Sequence, residues 1–296
     1  MHFVIVGAGG VGGNLGARLA EAGHRVAWLV RGRSLEALRK GLALKSPLGD
    51  LSLGPQEASD DAADLASPDA VIVTVKLYDL AAVSKSLEIF KRDRTLFLPL
   101  QNGVEARPLL QAALPGASVL GGMVSTKAYL EAPGRIVCKS GFSRIRLGGP
   151  QAQVLAAALE TGKGVSAAVS EDIETDVWRK FVMLAGMSAV SCVHRATIGA
   201  VLREHREEML AAVTEALQVA RALGVRLEGT AWEIAEPQVR DMPPDGKPSM
   251  FEDLEAGRRL EIDFTSGTLV RLGQKHGVPT PVHARLLEEV SRLEAH

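Results

Sequence analysis

At 296 residues, with 46% hydrophobic and 23% charged side chains, the chain has a globular composition and the length for two domains. A formal net charge of −1 and a pI near 6.7 exclude a whole-protein field that would gather nucleic acid or an anionic membrane surface. Two cysteines, Cys138 and Cys192, stand far apart in apolar settings, which is neither a disulfide nor a metal framework and suits a reducing compartment.

The N-terminus "MHFVIVGAGG" lacks the basic region and long apolar core of a signal peptide, and no run of about 18 apolar residues occurs anywhere, so a cytoplasmic protein is expected. "HFVIV" reads as a short β-branched strand that runs into "GAGGVGGNLGARLAEAGH", a glycine-rich turn and a helix-period segment stopping at Gly23. Gly7, Gly9 and Gly12 fit G-x-G-x-x-G: a tight turn, a close approach for a pyrophosphate, and contact between helix and strand. Gly10 and Val11 complete the loop at the helix start, where free N–H groups receive a phosphate. A glycine loop alone could merely turn the chain; the strand before it and the second strand "RVAWLV" supply the context of a dinucleotide site.

The position after that second strand selects the cofactor. Sites for NAD place an acid there for the ribose 2′-hydroxyl, whereas "VRGRS" offers Arg31 and Arg33, which suit a 2′-phosphate and hence NADPH/NADP. "DAVIVTVK" and "TLFLPLQNG" are buried-type strands ending at Lys76 and at Gln101, Asn102 and Gly103. In a parallel sheet both ends open on the ligand edge, placing Lys76 and Asn102 beside the cofactor, although a solvated lysine and an Asn-Gly turn would read the same way. "SVLGGM", "GRIVCK" and "RIRLGG" are expected to continue the sheet, the last two pairing antiparallel around Ser140 and Gly141.

After a helix near 151 to 160, β signals fade, and a boundary is placed at about residue 169. Helices are expected at roughly 173 to 193, 204 to 223, 230 to 240 and 280 to 294, with another from "EIDFTSGTLVRLGQKHG" closed by Gly277 and a loop at "DMPPDGKPS". The first of these carries Arg179 and Lys180 ahead of thirteen uncharged residues, Phe181 to Val193. A lysine opening a buried helix is either a snorkelling stem or a chemical group whose pKa falls with desolvation. In "PSMFEDLE", Ser249 and Glu252 have the spacing of a capping box, and a helix start there would also receive a carboxylate. Glu261 and Asp263 precede the next helix, where acids suit the dipole; pairing of one of them with Lys180 is the alternative expectation.

Together "VGAGGVGG", "WLVRG", "TVK", "QNG", "WRK", "PSMFEDLEAGRRLEID" and "HGVPTP" resemble the ketopantoate reductase family along the whole chain. The resemblance implies an α/β fold: an N-terminal Rossmann-type NADPH-binding domain over 1–169, then an all-helical substrate and catalytic domain over 170–296, similar to the C-terminal domain of 6-phosphogluconate dehydrogenase. It implies reduction of 2-dehydropantoate to (R)-pantoate with NADPH, in pantothenate and coenzyme A synthesis. Carried over by position, Arg31 and Lys76 hold the 2′-phosphate end, and Asn102 lies by cofactor and carbonyl. Lys180 is the general acid, Ser249 binds the substrate carboxylate, and Glu261 binds the substrate hydroxyl and orients the lysine.

Four and eight residues after the catalytic lysine the family commonly has asparagines on one helical face, and here stand Leu184 and Ser188, the latter kept as a substrate contact. In "TIGAVL", Ile198 replaces a further asparagine. A site that loses such bonding groups loses preference for a hydroxylated substrate, so a reductase of a less polar 2-oxo acid is the alternative, and a non-catalytic NADPH-binding sensor a second one. The seven histidines are scattered without paired-ligand spacing, and no metal is expected in the reaction. The expected partner is a small 2-oxo acid, with neither nucleic acid nor membrane; long apolar helices would suit a homodimer as well as one filled core.

Overall fold

Strands buried on both faces read as continuous apolar runs, and the first strand, enclosed from Phe3 to Val6, is the centre of a parallel sheet. The structure is a computed structural model that describes residues 1–92, 94–240 and 242–294; Asp241, the first residue of the expected "DMPPDGKPS" loop, lies outside them. The chain forms two compact units. One comprises Met1–Asn102 and Ala106–Ile173, and the other Gly103–Glu105 and the chain from Glu174 onward.

The first unit runs β1 (His2–Val6), α1 (Gly10–Glu21), β2 (Arg25–Leu29), α2 (Arg33–Leu38), β3 (Leu42–Lys45), β4 (Leu51–Leu53), β5 (Glu57–Ser59) and β6 (Ala70–Val73). It continues with α3 (Leu77–Ser84), β7 (Leu96–Pro99), α4 (Ala106–Ala113), β8 (Ser118–Val119), β9 (Gly121–Ser125), β10 (Ala128–Ala132), β11 (Arg135–Cys138), β12 (Ser143–Gly148), α5 (Ala152–Leu159) and β13 (Val165–Val169). Six strands pair in the order β5-β2-β1-β6-β7-β8, every neighbour parallel. The order reverses at β1, between β2 and β6, the switch point where open α/β sheets bind ligands.

Two further sheets complete the unit, β10-β11-β3-β4 and β13-β12-β9. Of the three late strands expected to extend the main sheet, only the start of "SVLGGM" does so, as β8. The expected hairpin around Ser140 and Gly141 is not formed: β11 lies between β10 and β3, and β12 between β9 and β13. Ser140 instead ties the crossing between sheets, its Oγ accepting from Lys127 N at 3.1 Å and donating to Phe142 O at 2.8 Å. Short segments such as "LALK" and "AYLEA" claim the pairing edges, and sequence proximity does not decide the competition. Cys138 and Cys192 are both free and buried.

The second unit is helical: α6 (Ile173–His194), α7 (Ile198–Glu204), α8 (Arg206–Ala222), α9 (Ala231–Val239), α10 (Ser249–Glu255), α11 (Ser266–His276) and α12 (Pro281–Glu294). α11 closes as expected on Gly277, left-handed at φ 71°. α7 is not among the expected helices; its seven residues give too short a period to read. Among the described residues no single helix is long and apolar enough to cross a membrane, and α6 and α7 bend by 87° where they meet.

Ser249 is no capping residue. Pro248, extended at φ −61° and ψ 150°, occupies that position and its carbonyl accepts from Phe251 and Glu252, so Ser249 is already in the helix. The capping box of this unit is at Thr230 and Glu233, ahead of α9. α12 is capped from another helix: buried Glu215 of α8 accepts from Val282 N at 2.8 Å and His283 N at 2.9 Å. A carboxylate there meets orphan N–H groups and the positive end of the dipole together.

His283 is fully enclosed, with Ser266 Oγ at 3.1 Å from Nδ1 and the Ala212 carbonyl at 2.9 Å from Nε2. Desolvation lowers its pKa from 6.5 to about 4 despite the Ala212 bond, so the folded ring stays neutral where the unfolded one takes a proton. Between those two values the unfolded state binds more protons, and stability falls as pH falls through that window. At roughly 1.36 kcal/mol per pKa unit, acidification from pH 6.5 to 4 should cost the wild type up to about 3 kcal/mol in denaturant titrations, and His283→Gln should flatten that part of the profile.

Candidate active site

In the first unit, the ends of β1, β2, β6 and β7 present their following residues on one edge, because the four strands are parallel and adjacent. Gly7 follows β1, Arg31 lies just beyond β2, Lys76 is the residue before α3, and Asn102 comes shortly after β7. Gly7 takes φ 95°, and a Cβ there would press on Val75. The turn is held by Thr74, whose Oγ1 lies 3.0 Å from the Val6 carbonyl and 2.9 Å from the Gly7 carbonyl. A Cβ on Gly12 would overlap that same Gly7 oxygen and Thr74 Oγ1, so the third glycine is demanded by close packing of α1 on the turn.

Gly9 is different. It precedes α1 with no side-chain cap, and a Cβ built on it meets nothing within 4 Å. Gly10, Val11 and Gly12 follow in the first turn of α1, whose leading N–H groups have no intrahelical partner. The open space over Gly9 and those donors form a cradle for a phosphate group.

Arg31 pairs with Asp79 in the first turn of α3 at 2.8 Å and remains 76% exposed. Nothing in the sequence links these two residues, which are far apart in the chain. Arg33 opens α2 and is also exposed. Gln101, beside Asn102, is 8% exposed, and neither Nε2 nor Oε1 of its amide has a hydrogen-bond partner among the described residues. A buried amide left unbonded costs about 1–3 kcal/mol per group, a cost that a ligand's polar group would offset. The sequence marks Gln101 only as a strand end.

In the second unit α6 is buried along most of its length, including Trp178, Phe181, Val182, Ala185, Met187, Ala189 and Val190. Trp178 and Phe181 meet edge to face at 5.5 Å, and Gln238 of α9 donates to the Arg179 carbonyl at 2.9 Å. Lys180 is half-buried on this helix, and desolvation pulls its pKa from 10.5 down to about 8. Leu184 and Ser188 follow one and two turns on along its face, half-buried and buried. Ile198, 7% exposed, opens α7 after the capping residue Thr197.

Ser249 is exposed at the first position of α10, which is anchored by buried Met250 and Phe251. Arg258 pairs with Asp253 of the same helix at 2.7 Å. Glu261, half-buried, precedes a short 3₁₀ turn over Ile262–Phe264 that leads into α11. Glu105, in the short stretch after Asn102 that belongs to this unit, accepts from Thr268 Oγ1 and pairs with Arg271 at 3.1 Å. That anchoring carries no signature in the sequence.

Comparison with known proteins bears on the whole chain. The family model described as "Ketopantoate reductase PanE/ApbA" matches residues 3–151, and its C-terminal counterpart, "Ketopantoate reductase PanE/ApbA C terminal", matches residues 172–294. The chain belongs to the ketopantoate reductase family. A 2-dehydropantoate 2-reductase from Archaeoglobus fulgidus is 32% identical across 98% of this chain and 97% of its own. An uncharacterized oxidoreductase, YkpB, from Bacillus subtilis is 30% identical across 100% and 99%. The crystal structure of a PanE/ApbA family ketopantoate reductase from Ralstonia eutropha superimposes with a TM-score of 0.91 at 28% identity, covering 100% of this chain and 99% of the other.

Family membership makes the chain an oxidoreductase that uses a nicotinamide dinucleotide, and the first unit fits that group. The cradle over Gly9 suits the pyrophosphate, and Gln101 offers an unmet amide on the β6–β7 side of the switch point. Two substitutions separate the roles of the glycines. Gly12→Ala should lower thermal stability, by about 1–3 kcal/mol for overpacking, because its Cβ has nowhere to go. Gly9→Ala should leave the melting temperature of the free ketopantoate reductase chain unchanged and weaken dinucleotide binding, as followed by nicotinamide fluorescence.

Proposed function

We propose that this chain reduces a 2-oxo acid to a 2-hydroxy acid with NADPH, and that 2-dehydropantoate, giving (R)-pantoate on the route to pantothenate, is its substrate. The observation that carries the reading is Lys180: an ammonium whose pKa burial has brought to about 8, on an apolar helix, in a chain of this family. A group poised near neutral pH still holds its proton at pH 7 and releases it readily, which is what a general acid needs.

Residues 1–169 hold the cofactor in this reading, and residues 170–296 supply substrate binding and acid catalysis. Gly7, Gly9, Gly10, Val11 and Gly12 receive the pyrophosphate. Arg31 and Lys76 take the 2′-phosphate, with Arg31 exchanging Asp79 for the ligand. The bound nicotinamide supplies the hydride. Lys180 Nζ stabilises the negative charge that grows on the C2 carbonyl oxygen and donates its proton there. The Ser249 hydroxyl holds the substrate carboxylate, Asn102 lies by the reacting carbonyl, and Glu261 accepts from the substrate hydroxyl while orienting the lysine.

A second reading is favoured by the face that Lys180 shares with Leu184 and Ser188, and by Ile198 at the head of α7. A leucine, a small hydroxyl and an isoleucine offer fewer bonds to a hydroxylated substrate than three amides would, which suits a less polar 2-oxo acid using the same lysine.

The deciding experiment follows NADPH consumption with 2-dehydropantoate beside a panel of aliphatic and aromatic 2-oxo acids. Preference for 2-dehydropantoate is expected, and Lys180→Ala should lower kcat by about 10²–10⁴. Turnover of a less polar acid alone, still dependent on the lysine, would establish the second reading, and no turnover of any acid would sink both. In the wild type kcat/KM should fall as pH rises above about 8, where Lys180 loses its proton. Arg31→Ala should raise KM for NADPH about tenfold while leaving NADH almost unaffected, because one charge-assisted contact to the 2′-phosphate is lost.

A further inference from the structure

Within the helical unit, the end of α6 meets the start of α8, where His205 and Glu208 stand three positions apart. α6 ends at His194, and Arg195 follows in the left-handed region at φ 48°. The chain then passes through α7 and returns at His205, the residue between α7 and α8. The imidazoles of His194 and His205 stack with centroids 3.6 Å apart and planes inclined by 11°. Glu208, in the first turn of α8, accepts from His194 Nε2 at 2.6 Å through Oε2. The histidines, scattered in sequence, are not all scattered in space: His194 and His205 stand eleven positions apart, and the bend after α6 removes that separation.

We propose that His194, His205 and Glu208 form a three-ligand site for a late first-row divalent cation of the Zn²⁺ class, with water completing the coordination. One ligand atom from each of the three residues lies within 4.8 Å of the others. Ligand atoms around a tetrahedral zinc with bonds of about 2.0 Å stand about 3.3 Å apart, so loading the site would draw the three side chains closer together and turn the stacked rings. The His205 ring makes no side-chain hydrogen bond among the described residues, so ligation costs it none.

Glu208 is already arranged as a ligand is. Its Oε1 is held by Arg285 of α12 at 2.5 Å, leaving Oε2 toward the histidines, as an outer partner orients a ligating carboxylate. Arg285 also brings an opposing charge, which its second pairing with Glu289 at 3.1 Å offsets in part. The carboxyl end of α6 adds the negative end of a helix dipole. In the loaded site the ion replaces the proton shared between His194 Nε2 and Glu208 Oε2 and staples α6 to α8.

Lys180 stands fourteen residues back along the same helix, about 21 Å at 1.5 Å per residue, so the ion has no part in hydride transfer. Its effect is on the stability of the unit. The test titrates chelator-treated full-length protein with Zn²⁺ by calorimetry at neutral pH and with Co²⁺ by visible absorption, and records melting temperature with and without metal. One ion per chain is expected, with the d–d spectrum of low-coordinate cobalt and a metal-dependent rise in melting temperature. His205→Ala should weaken Zn²⁺ binding by more than about tenfold and abolish the rise, while NADPH-coupled activity in chelator stays at the wild-type level. His194→Ala supplies a second ligand deletion with the same expectation. The absence of stoichiometric binding, or binding that survives in both variants, overturns the proposal.

Discussion

Burying α6 without extracting its lysine is the constraint from which the helical unit follows. The helix shares one buried core with residues of α7 to α12, and a helix that is apolar along most of its length is stable in such a setting. Lys180, half-buried, stands at the start of that apolar run. Desolvation costs its charged form free energy, and the lowered pKa is that cost expressed as chemistry. One packing arrangement therefore makes the core and lowers the pKa of the lysine. The same helix ends at His194, where the chain must bend sharply into α7, and the bend stacks His205 on His194.

In the sheet unit the corresponding constraint is contact between α1 and the turn after β1. Gly12 is pressed against the Gly7 carbonyl, and Thr74 from β6's end bonds that same carbonyl and its neighbour. Over Gly9, three residues before Gly12, a Cβ would meet nothing within 4 Å. There the close packing stops and an opening begins, and the two kinds of glycine are told apart by what a Cβ would meet. Gln101 makes a similar point from the other side, since a buried amide with both polar atoms unbonded is unstable in a finished core but sensible at the edge of a ligand site. Glu215 shows the opposite outcome, a buried carboxylate fully used by the start of α12.

Much of this architecture is legible in the amino-acid sequence. Strand β1, the glycine turn and α1 are readable because turn chemistry and a 3.6-residue period act over a few neighbouring positions. α6, α8, α9, α11 and α12 are readable for the same reason, each being long enough to show its period, whereas seven-residue α7 is not. The expected cap at Ser249 misreads a pattern whose spacing is right, because Pro248 already fills the capping position. The expected hairpin at Ser140 fails because β strands choose partners by competition among edges, and β3 and β13 are the better neighbours.

By itself the sequence determined the local chemistry of this protein: a strand, a glycine turn and a helix in dinucleotide-binding order, arginines where an acid would select NAD, and a lysine entering an apolar helix. These are short-range facts, set by side-chain type and spacing within a turn or two. Tertiary structure alone decided that three sheets form in place of one, that Arg31 meets Asp79, that Glu215 caps α12 and that His194 meets His205. Each of these joins residues from different elements, and such contacts exist only after packing has chosen which faces are buried together.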